Sequence, residues 1–340
     1  MQAWLNRRWY GPPGSCAALE PLARLYGAAV AARRRRAGPA SVLPVPVIIV
    51  GNLTVGGTGK TPLTVWLAQQ SSRHALAAGV ISRGYGGRAN GVRVLDAEAD
   101  WRDVGDEPLI LARRGGCVTA VGRERTEAAR AVIARGARVV ISDDGLQHLQ
   151  LTRQCTIVVA DGARGFGTGR LLPAGPLREP LQRLASADAL VINGVSEHPS
   201  LRAAAAYFPA RVLRMDLVPG EAVALATGER RTLEEFGGSP VHAVAGIGHP
   251  QRFFRELVAR GLQVREHPFP DHHPLTAAEL DFGDSRPVLM TEKDAVKCAH
   301  LADPRLWFVP VEAVFSETDA ACLLELLLRT AASFARAPGG

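Results

Sequence analysis

The sequence of 340 residues is 47% hydrophobic and 21% charged, a balance typical of a soluble globular protein with one large or two medium domains. Its five cysteines form no Cys-x-x-Cys pair, which argues against a disulfide framework and a structural zinc site and suits a reducing compartment. No apolar run reaches the roughly 18 to 20 residues needed to cross a bilayer, and the N-terminus lacks the residue order of a secretory signal.

The net charge of +7 is concentrated at the N-terminus, where residues 1–40 hold seven arginines and one acidic residue. Trp4 and Trp9 lead into a helix-like stretch at 17–26, and four consecutive arginines follow at 33–36. Aromatic and leucine side chains mixed with arginine suit a helix that lies in the headgroup region of an anionic membrane. The alternative is an amphipathic helix packed on the protein's own core, and the two are compatible. Nucleic acid is a weaker partner, because no aromatic platform and no known binding motif accompany the arginines.

A strand, a glycine-rich turn and a helix follow one another near residue 50. Residues 45–50 form an apolar run typical of a buried parallel strand, and the apolar spacing from Pro62 onwards is helical. Between them stands TVGGTGKT, which matches the Walker A pattern except that a threonine replaces the first glycine. Strand, turn and helix are the context that a phosphate loop requires, the alternative being an incidental turn. The predicted ATP-binding residues are Thr54, Val55, Gly56, Gly57, Thr58, Gly59, Lys60 and Thr61.

Lysine is rare in this chain, and its positions are informative. Only three of the forty basic residues are lysine: Lys60, Lys293 and Lys297. Lys60 stands where the phosphate-loop pattern requires a compact ammonium group, which a planar guanidinium does not replace. The retained lysine therefore supports a functional loop.

The rest of the chain alternates between apolar strands and helices. Strands are predicted at 79–82, 138–142, 156–160, 189–193, 242–246 and 286–291, and helices at 124–135, 252–260 and 319–336. The alternation predicts an α/β protein with a mainly parallel sheet, the core of a P-loop NTPase. A break in the pattern near 215–240 predicts three parts: a basic amphipathic helical segment at 1–40, the P-loop core at 41–220 and a smaller C-terminal α/β lobe at 221–340.

Polar clusters follow several strands, at the edge of the sheet where ligands of such folds bind. Asp143 and Asp144 end a buried strand and are placed to hold Mg²⁺ beside the phosphates, although an Asp-Gly turn is the alternative. The Gly-Asp-Glu-Pro stretch at 105–108 suits a helix N-cap. The Asp-His-His stretch at 271–273 suits either an acid-oriented histidine or an exposed loop. Two loops rich in glycine, proline and arginine lie at 82–87 and 170–180.

Seven motifs occur in order between residues 51 and 294: GNLTVGGTGKTP, SRGYGG, GDEP, SDDGLQH, LLPAGPLREP, DHH and TEKD. Together they resemble the tetraacyldisaccharide 4'-kinases, the lipid A 4'-kinases of Gram-negative bacteria, over most of the chain. The loop of that family has threonine or serine in place of the first glycine of the general pattern. Thr54 therefore fits the family's form of the loop.

The resemblance implies transfer of the γ-phosphate of ATP, with Mg²⁺, to the 4'-hydroxyl of a tetraacyl glucosamine disaccharide 1-phosphate, a lipid A precursor. It implies that Lys60 contacts the β- and γ-phosphate oxygens. It also implies that Asp106, oriented by or paired with His272, takes the proton of the sugar hydroxyl. The implied metal ligands are Thr61, Asp143, Asp144 and Glu179, and the implied substrate clamps are Arg83, His148 and Arg178.

The resemblance further implies a peripheral protein on the cytoplasmic face of the bacterial inner membrane, bound to anionic lipid and without an obligate protein partner. One rival class is a nucleotide-switch ATPase of the partition or metallochaperone kind. Its loops often carry a lysine directly before the glycine pair, where this chain has Val55. The other rival is a kinase for a nucleoside or a soluble sugar, against which the basic aromatic N-terminus argues.

Overall fold

The structure is a computed structural model that describes residues 2–11, 16–96 and 98–335. Parts of the predicted N-terminal segment, including the side chain of Trp4, lie outside the described residues, as does Arg336 at the predicted end of the last helix. The helices are α1 (Gln2–Trp9), α2 (Glu20–Arg36), α3 (Lys60–Arg73), α4 (Trp101–Val104), α5 (Asp106–Gly115), α6 (Arg125–Ala134), α7 (Pro199–Ala203), α8 (Pro250–Ala259), α9 (Glu292–Ala295) and α10 (Glu317–Ala335).

The strands are β1 (Val47–Gly51), β2 (Ala78–Ser82), β3 (Arg93–Val94), β4 (Val118–Val121), β5 (Val139–Asp143), β6 (Cys155–Asp161), β7 (Ala189–Asn193), β8 (Val212–Pro219), β9 (Ala222–Ala224), β10 (Arg230–Arg231), β11 (Val241–Ala245), β12 (Val264–Pro268), β13 (Val288–Thr291), β14 (Leu306–Val309) and β15 (Val311–Val314). All six strands that the apolar runs predict after the glycine-rich turn are present, each shifted by two residues or fewer at its start.

A nine-stranded sheet carries the glycine-rich turn. Its order is β15-β8-β7-β6-β1-β5-β2-β4-β3, and the strands from β8 to β4 run parallel. The edge strands β3 and β15 are antiparallel to their neighbours. Helices cover both faces, because Ile48 of β1 packs with α3 and α10 while Ile49 packs with α6. The predicted α/β fold with a mainly parallel sheet is confirmed.

A second sheet of six strands has the order β10-β9-β14-β13-β11-β12. Strands β12, β11, β13 and β14 run parallel, and the short strands β9 and β10 add antiparallel pairs at one edge. Phe254 of α8 lies at the centre of a core on one face of this sheet. We call this sheet and its helices the smaller lobe; the predicted division of the chain into three parts stays a prediction.

The end of the smaller lobe differs from the prediction of 221–340. After β14 the chain returns to the first sheet, where β15 pairs with β8. Helix α10 then packs against the first sheet, and Leu323 and Leu327 join the core formed with α3. The second sheet therefore spans 222–309. The return was not predicted because an edge strand paired with a distant partner has no local sequence signature.

The N-terminal segment packs on the loop that follows β6. Trp9 is buried, and its indole Nε1 donates a hydrogen bond of 2.9 Å to the carbonyl oxygen of Pro173. In α2, Ala23 is buried, whereas Leu22 and Leu25 expose 52% and 68% of their surface. The helix thus packs along one face and leaves leucines on the other, which accommodates both alternatives that the sequence leaves open. No helix among the described residues is long and apolar enough to cross a membrane.

Candidate active site

The turn between β1 and α3 has the backbone of a phosphate loop. Gly56 and Gly59 both have a φ of +99°, a conformation that glycine adopts without strain. Thr54 is not among the described residues with a positive φ, so a threonine is tolerated at the first position of the loop. Thr54 instead forms an antiparallel bridge with Leu177. A threonine in place of the first glycine of the pattern is therefore compatible with the loop geometry.

Contacts from neighbouring strands and loops fix this turn. The backbone N–H of Val55 donates to the carbonyl oxygen of Pro176 at 2.9 Å. The amide of Asn193, at the end of β7, donates to the carbonyl oxygen of Thr58 at 3.0 Å. A Cβ atom at Gly59 would lie 2.9 Å from the nitrogen of that amide, so only glycine fits. The loop is preorganised by its surroundings.

Lys60, the first residue of α3, lies between the loop and the end of the neighbouring strand β5. Its ammonium nitrogen is 3.3 Å from Oδ1 of Asn52 and 3.6 Å from Oδ1 of Asp144. The ammonium has no third described partner, and Thr61 follows it in the same helical turn. The hydroxyl of Thr64, one turn further along, donates to Oδ1 of Asp143 at 3.1 Å.

Asp143 and Asp144 differ in environment although they are adjacent. Asp143 is fully buried at the end of β5, and burial, followed by the charge of Glu107, raises its pKa to about 7. Asp144 is partly exposed and has a φ of 49°. Burial acts to raise the pKa of Asp144, but Lys60 and Arg178 outweigh it and hold that pKa below its usual range. The pair therefore offers two carboxylates of different basicity beside the loop.

Asp106 and His272 meet across the two lobes. Asp106 is the first residue of α5 and is buried, and its Oδ2 lies 3.0 Å from Nδ1 of His272. Its Oδ1 accepts a hydrogen bond of 2.8 Å from the backbone N–H of Glu107. His272 has a φ of 61°, a strained conformation for a residue with a side chain. The loop after β12 thus presents His272 to the start of α5.

The two groups perturb each other's proton affinity. Burial acts to raise the pKa of Asp106, but the hydrogen bond from His272 and the charge of Lys293 outweigh it, so that the pKa is lowered. The same hydrogen bond raises the pKa of His272 above 6.5, against the opposing effect of burial. Asp106 is therefore ionised at neutral pH, as a proton acceptor must be.

A second contact between the lobes lies beside this pair. The ammonium of Lys293, in α9, forms an ion pair with the carboxylate of Glu107. Two turns further along α5, Arg114 contacts Glu292, the neighbour of Lys293, at 3.1 Å. Burial acts to lower the pKa of Lys293, but the charges of Glu107 and then Asp106 outweigh it and raise that pKa above its usual range. The ammonium therefore stays charged. Lys293 is one of three lysines in the chain, and this rarity is the sequence signal that marks it, although no local pattern predicts its role.

The three predicted substrate clamps lie around the Asp143–Asp144 turn. Arg178 contacts Oδ2 of Asp144 at 3.6 Å. Arg83 is exposed after β2, has no ion-pair partner among the described residues, and its charge acts on buried Arg125. His148 has a buried Nε2 atom with no described hydrogen-bond partner, and burial lowers its pKa.

Glu179, a predicted metal ligand, is placed among arginines instead. Its buried carboxylate lies 3.4 Å from Nε of Arg183 and 3.8 Å from Nη1 of Arg34. Burial raises the pKa of Glu179, while these two arginines act in the opposite direction. None of its described contacts is with Asp143 or Asp144. A role in metal binding therefore has no structural support, and we assign Glu179 to the arginine network.

Arg125 is a buried cation that the sequence analysis missed. It is 2% exposed, and its Nη2 donates to the backbone carbonyl oxygen of Asp143 at 3.0 Å. Burial lowers the pKa of Arg125 to about 10, which leaves it charged at neutral pH. An arginine at the start of a predicted helix carries no signal in the sequence that distinguishes it from a surface residue.

The site combines a glycine loop between a central parallel strand and a helix, a lysine at the start of that helix and a buried carboxylate at the end of the next strand. This combination defines a P-loop phosphotransferase. Known proteins refine this class. A protein-family profile described as Tetraacyldisaccharide-1-P 4'-kinase matches residues 16–330. The chain belongs to this family and is a kinase.

Individual relatives match along nearly their whole length. A tetraacyldisaccharide 4'-kinase from Alkalilimnicola ehrlichii is 50% identical over 315 residues, 91% of each chain. One from Pseudomonas aeruginosa is 46% identical over 314 residues, 90% of this chain and 91% of the relative. The crystal structure of LpxK from Aquifex aeolicus in complex with ATP has a TM-score of 0.76 and 26% identity, and the match covers 92% of this chain and 98% of that one.

Proposed function

We propose that this site transfers the γ-phosphate of ATP to the 4'-hydroxyl of a tetraacyldisaccharide 1-phosphate, a step of lipid A biosynthesis. The hydrogen-bonded pair of Asp106 and His272 carries the proposal, because it lies next to Glu107, whose charge acts on Asp143, and because a nucleotide switch needs no proton acceptor for an alcohol. The related proteins are tetraacyldisaccharide 4'-kinases, and the related LpxK structure holds ATP, which supports the same acceptor and donor. Phosphoryl transfer requires mainly positioning and charge stabilisation, and the described site offers both.

The phosphate loop, residues 54–61, binds the triphosphate in this proposal. Its backbone N–H groups and the start of α3 face the phosphates, and the Lys60 ammonium contacts the β- and γ-phosphate oxygens. Arg178 and Arg83 supply further positive charge near the transferred group. These groups neutralise the charge that is spread over the phosphate oxygens in the transition state.

Thr61, Asp143 and Asp144 suit Mg²⁺, which prefers one or two carboxylates together with phosphate and water oxygens. These three residues fit the ion because each supplies hard oxygen atoms, and the carboxylate of Asp144 lies next to the ammonium of Lys60. No group of three or more His, Cys, Asp or Glu within the described ranges is arranged as a complete protein cage, which agrees with that preference. When bound, the ion would neutralise the phosphates and hold them in line.

Asp106 accepts the proton of the 4'-hydroxyl as the oxygen attacks phosphorus. His272 orients the carboxylate, and its own hydrogen bond stabilises the ionised form. Lys293 holds Glu107 beside the base and adds a positive charge near it. A hydroxyl is a poor nucleophile without such a base.

The N-terminal segment binds the acceptor's membrane. Leu22 and Leu25 form an exposed apolar strip on α2, and arginines continue along the helix at 33–36. An apolar face beside clustered arginine suits the headgroup region of anionic lipid. We therefore place the protein as a peripheral enzyme on the cytoplasmic face of the inner membrane.

The direct test is transfer of label from γ-labelled ATP to a tetraacyldisaccharide 1-phosphate, resolved by thin-layer chromatography. Lys60→Ala should abolish detectable turnover while circular dichroism stays that of the parent. Arg73→Ala, at the exposed far end of the same helix α3, is the matched control and should keep parental activity. An unchanged kcat for Lys60→Ala would refute the assignment of the phosphate loop.

A further inference from the structure

A kinase for this acceptor needs a second anion site. The family description specifies a 1-phosphate on the acceptor, and the phosphate loop is occupied by the nucleotide in the proposed reaction. The inference below therefore rests on the proposed function. A phosphate monoester is a dianion or nearly so at neutral pH, and arginine is the residue that binds it with two hydrogen bonds.

A cationic group lies outside the phosphate loop and consists of Arg34, Arg153 and Arg183 around Glu179; we call it the arginine cluster. Arg183 and Arg34 lie 3.4 and 3.8 Å from the buried carboxylate. Arg153 acts electrostatically on the same carboxylate and on both other arginines. The elements that carry these residues are α2, the loop after β6 and the segment between β5 and β6.

The arginine cluster has more positive charge than its own carboxylate neutralises. Three guanidinium groups face one carboxylate, which leaves an excess of two positive charges, and exposed Arg33 adds to the field. The Nε of Arg183 and the Oε2 of Glu179 are buried, yet neither has a hydrogen-bond partner among the described atoms. The ion pairs are therefore longer than hydrogen bonds. Arg153 already donates to the carbonyl oxygens of Leu146 and His148, and Nη1 of Arg183 donates to Ser186, so the described donors that lack a hydrogen bond belong to Arg34 and to the other nitrogens of Arg183. Burial lowers the pKa of Arg183, so a bound dianion would relieve an unfavourable environment.

The position of the arginine cluster fits the second sugar of the acceptor. Glu179 directly follows Arg178, which contacts Asp144 beside the phosphate loop. Arg153 donates to the backbone carbonyl oxygen of His148 at 2.7 Å, in the stretch that follows the same aspartates. The buried Nε2 of His148 is also without a described partner. The cluster thus adjoins residues that contact or follow the Asp143–Asp144 turn.

We propose that the arginine cluster binds the 1-phosphate of the acceptor. The guanidinium groups of Arg183 and Arg34 donate to the phosphate oxygens, and Arg153 contributes charge. Glu179 is a positioning residue that keeps three like charges together. This site would fix the disaccharide at one end while the other end presents its 4'-hydroxyl to Asp106.

The test compares two acceptors, one with the 1-phosphate and one with a hydroxyl in its place. Arg183→Gln should raise KM for the 1-phosphate acceptor roughly 10- to 100-fold, the effect of losing one charged hydrogen bond. It should leave KM for the 1-hydroxyl acceptor and KM for ATP within about twofold of the parent. Arg34→Gln, at a more exposed side chain, should raise the ratio of the two KM values in the same direction if Arg183→Gln folds poorly; any change common to both acceptors would reflect the membrane-binding role of the arginines at 33–36.

Arg35→Gln is the matched control, because it removes the same charge from the same helix, and no described contact joins Arg35 to Glu179. It should leave the ratio of the two KM values at the parental value. Equal losses with both acceptors, or no loss with either in Arg183→Gln and Arg34→Gln, would overturn the proposal. Failure of the parent protein to phosphorylate either acceptor would instead refute the proposed function, so the two failures are distinct.

Discussion

Asp106→Asn is the sharpest test of the proposed base. The asparagine keeps the shape of the side chain, and its amide oxygen accepts the N–H of Glu107 as Oδ1 does at 2.8 Å. It takes up no proton, so we expect kcat to fall by roughly 10² to 10⁴, the contribution of a general base. This corresponds to about 3 to 5 kcal/mol of barrier. The KM for ATP should stay near the parental value, because Asp106 has no described contact with the phosphate loop.

His272→Ala should cost less. It removes one charge-assisted hydrogen bond of 3.0 Å from Asp106, which corresponds to a loss of roughly 10- to 100-fold. The double variant should be close to Asp106→Asn alone, because the histidine acts through the carboxylate and residues that act as a unit are not additive. Some activity should survive, since positioning and charge stabilisation remain.

The pH dependence has a defined sign. The lowered pKa of Asp106 keeps the carboxylate ionised until the pH falls through that value, so the parent should lose kcat only at acidic pH. In His272→Ala, burial is no longer opposed by the hydrogen bond, so the pKa of Asp106 rises. The acidic limb of the kcat profile should therefore move to higher pH.

Initial rates between pH 5 and pH 9 at saturating ATP and acceptor provide the measurement. Asp103→Asn is the matched control, because its carboxylate lies in the preceding helix α4, pairs with Arg93 and is largely exposed. It should keep the parental profile. An Asp106→Asn enzyme with intact kcat and lost ATP affinity would make Asp106 a nucleotide contact. Fully additive losses in the double variant would show that the two residues act independently.

Two further predictions address the membrane and the contact between the lobes. Replacing Leu22 and Leu25 together by serine should reduce co-sedimentation with anionic vesicles and raise KM for the lipid acceptor more than for ATP. Val258→Ser, at an equally exposed apolar residue of α8, is the control and should change neither quantity. Equal vesicle binding by the double variant and the control would contradict membrane binding through α2. Lys293→Met should lower kcat and move the acidic limb of the kcat profile to higher pH, because a positive charge beside Asp106 is lost. Arg114→Met breaks the neighbouring ion pair between the lobes. It should lower the stability to urea without moving that limb.

The phosphate loop and its strand were predictable because they are local. An apolar run, six closely spaced glycine and threonine positions and a helical pattern together specify the turn from Thr54 to Thr61 without any distant partner. Asp143 was predictable for the same reason, since it ends a buried strand next to β1. The part of the site that would bind ATP could therefore be predicted from local sequence.

The acceptor side depends on residues that are far apart in the chain. Asp106 and His272 are 166 positions apart, and spacing alone gives no reason to pair them, so only the family resemblance brought them together. Nothing in the sequence near Glu179 predicts its contact with Arg34, which lies 145 positions earlier. The ion pair between Lys293 and Glu107 is equally non-local. Such contacts follow from how two sheets pack, which no periodicity describes.

The return of the chain to its first sheet makes the second sheet a self-contained excursion from the first. Pro219, where the chain leaves that sheet, is paired with Val311, where it comes back, and the N–H of Gly220 donates to the carbonyl oxygen of Pro310 at 2.8 Å. The exit and entry points are thus neighbours, so the whole second sheet is an insertion between two adjacent backbone positions at one edge. Insertions between neighbouring surface positions leave the host domain closed. His272 and Lys293 both lie within this insertion, so one excursion of the chain from the first sheet brings both residues to Asp106 and Glu107.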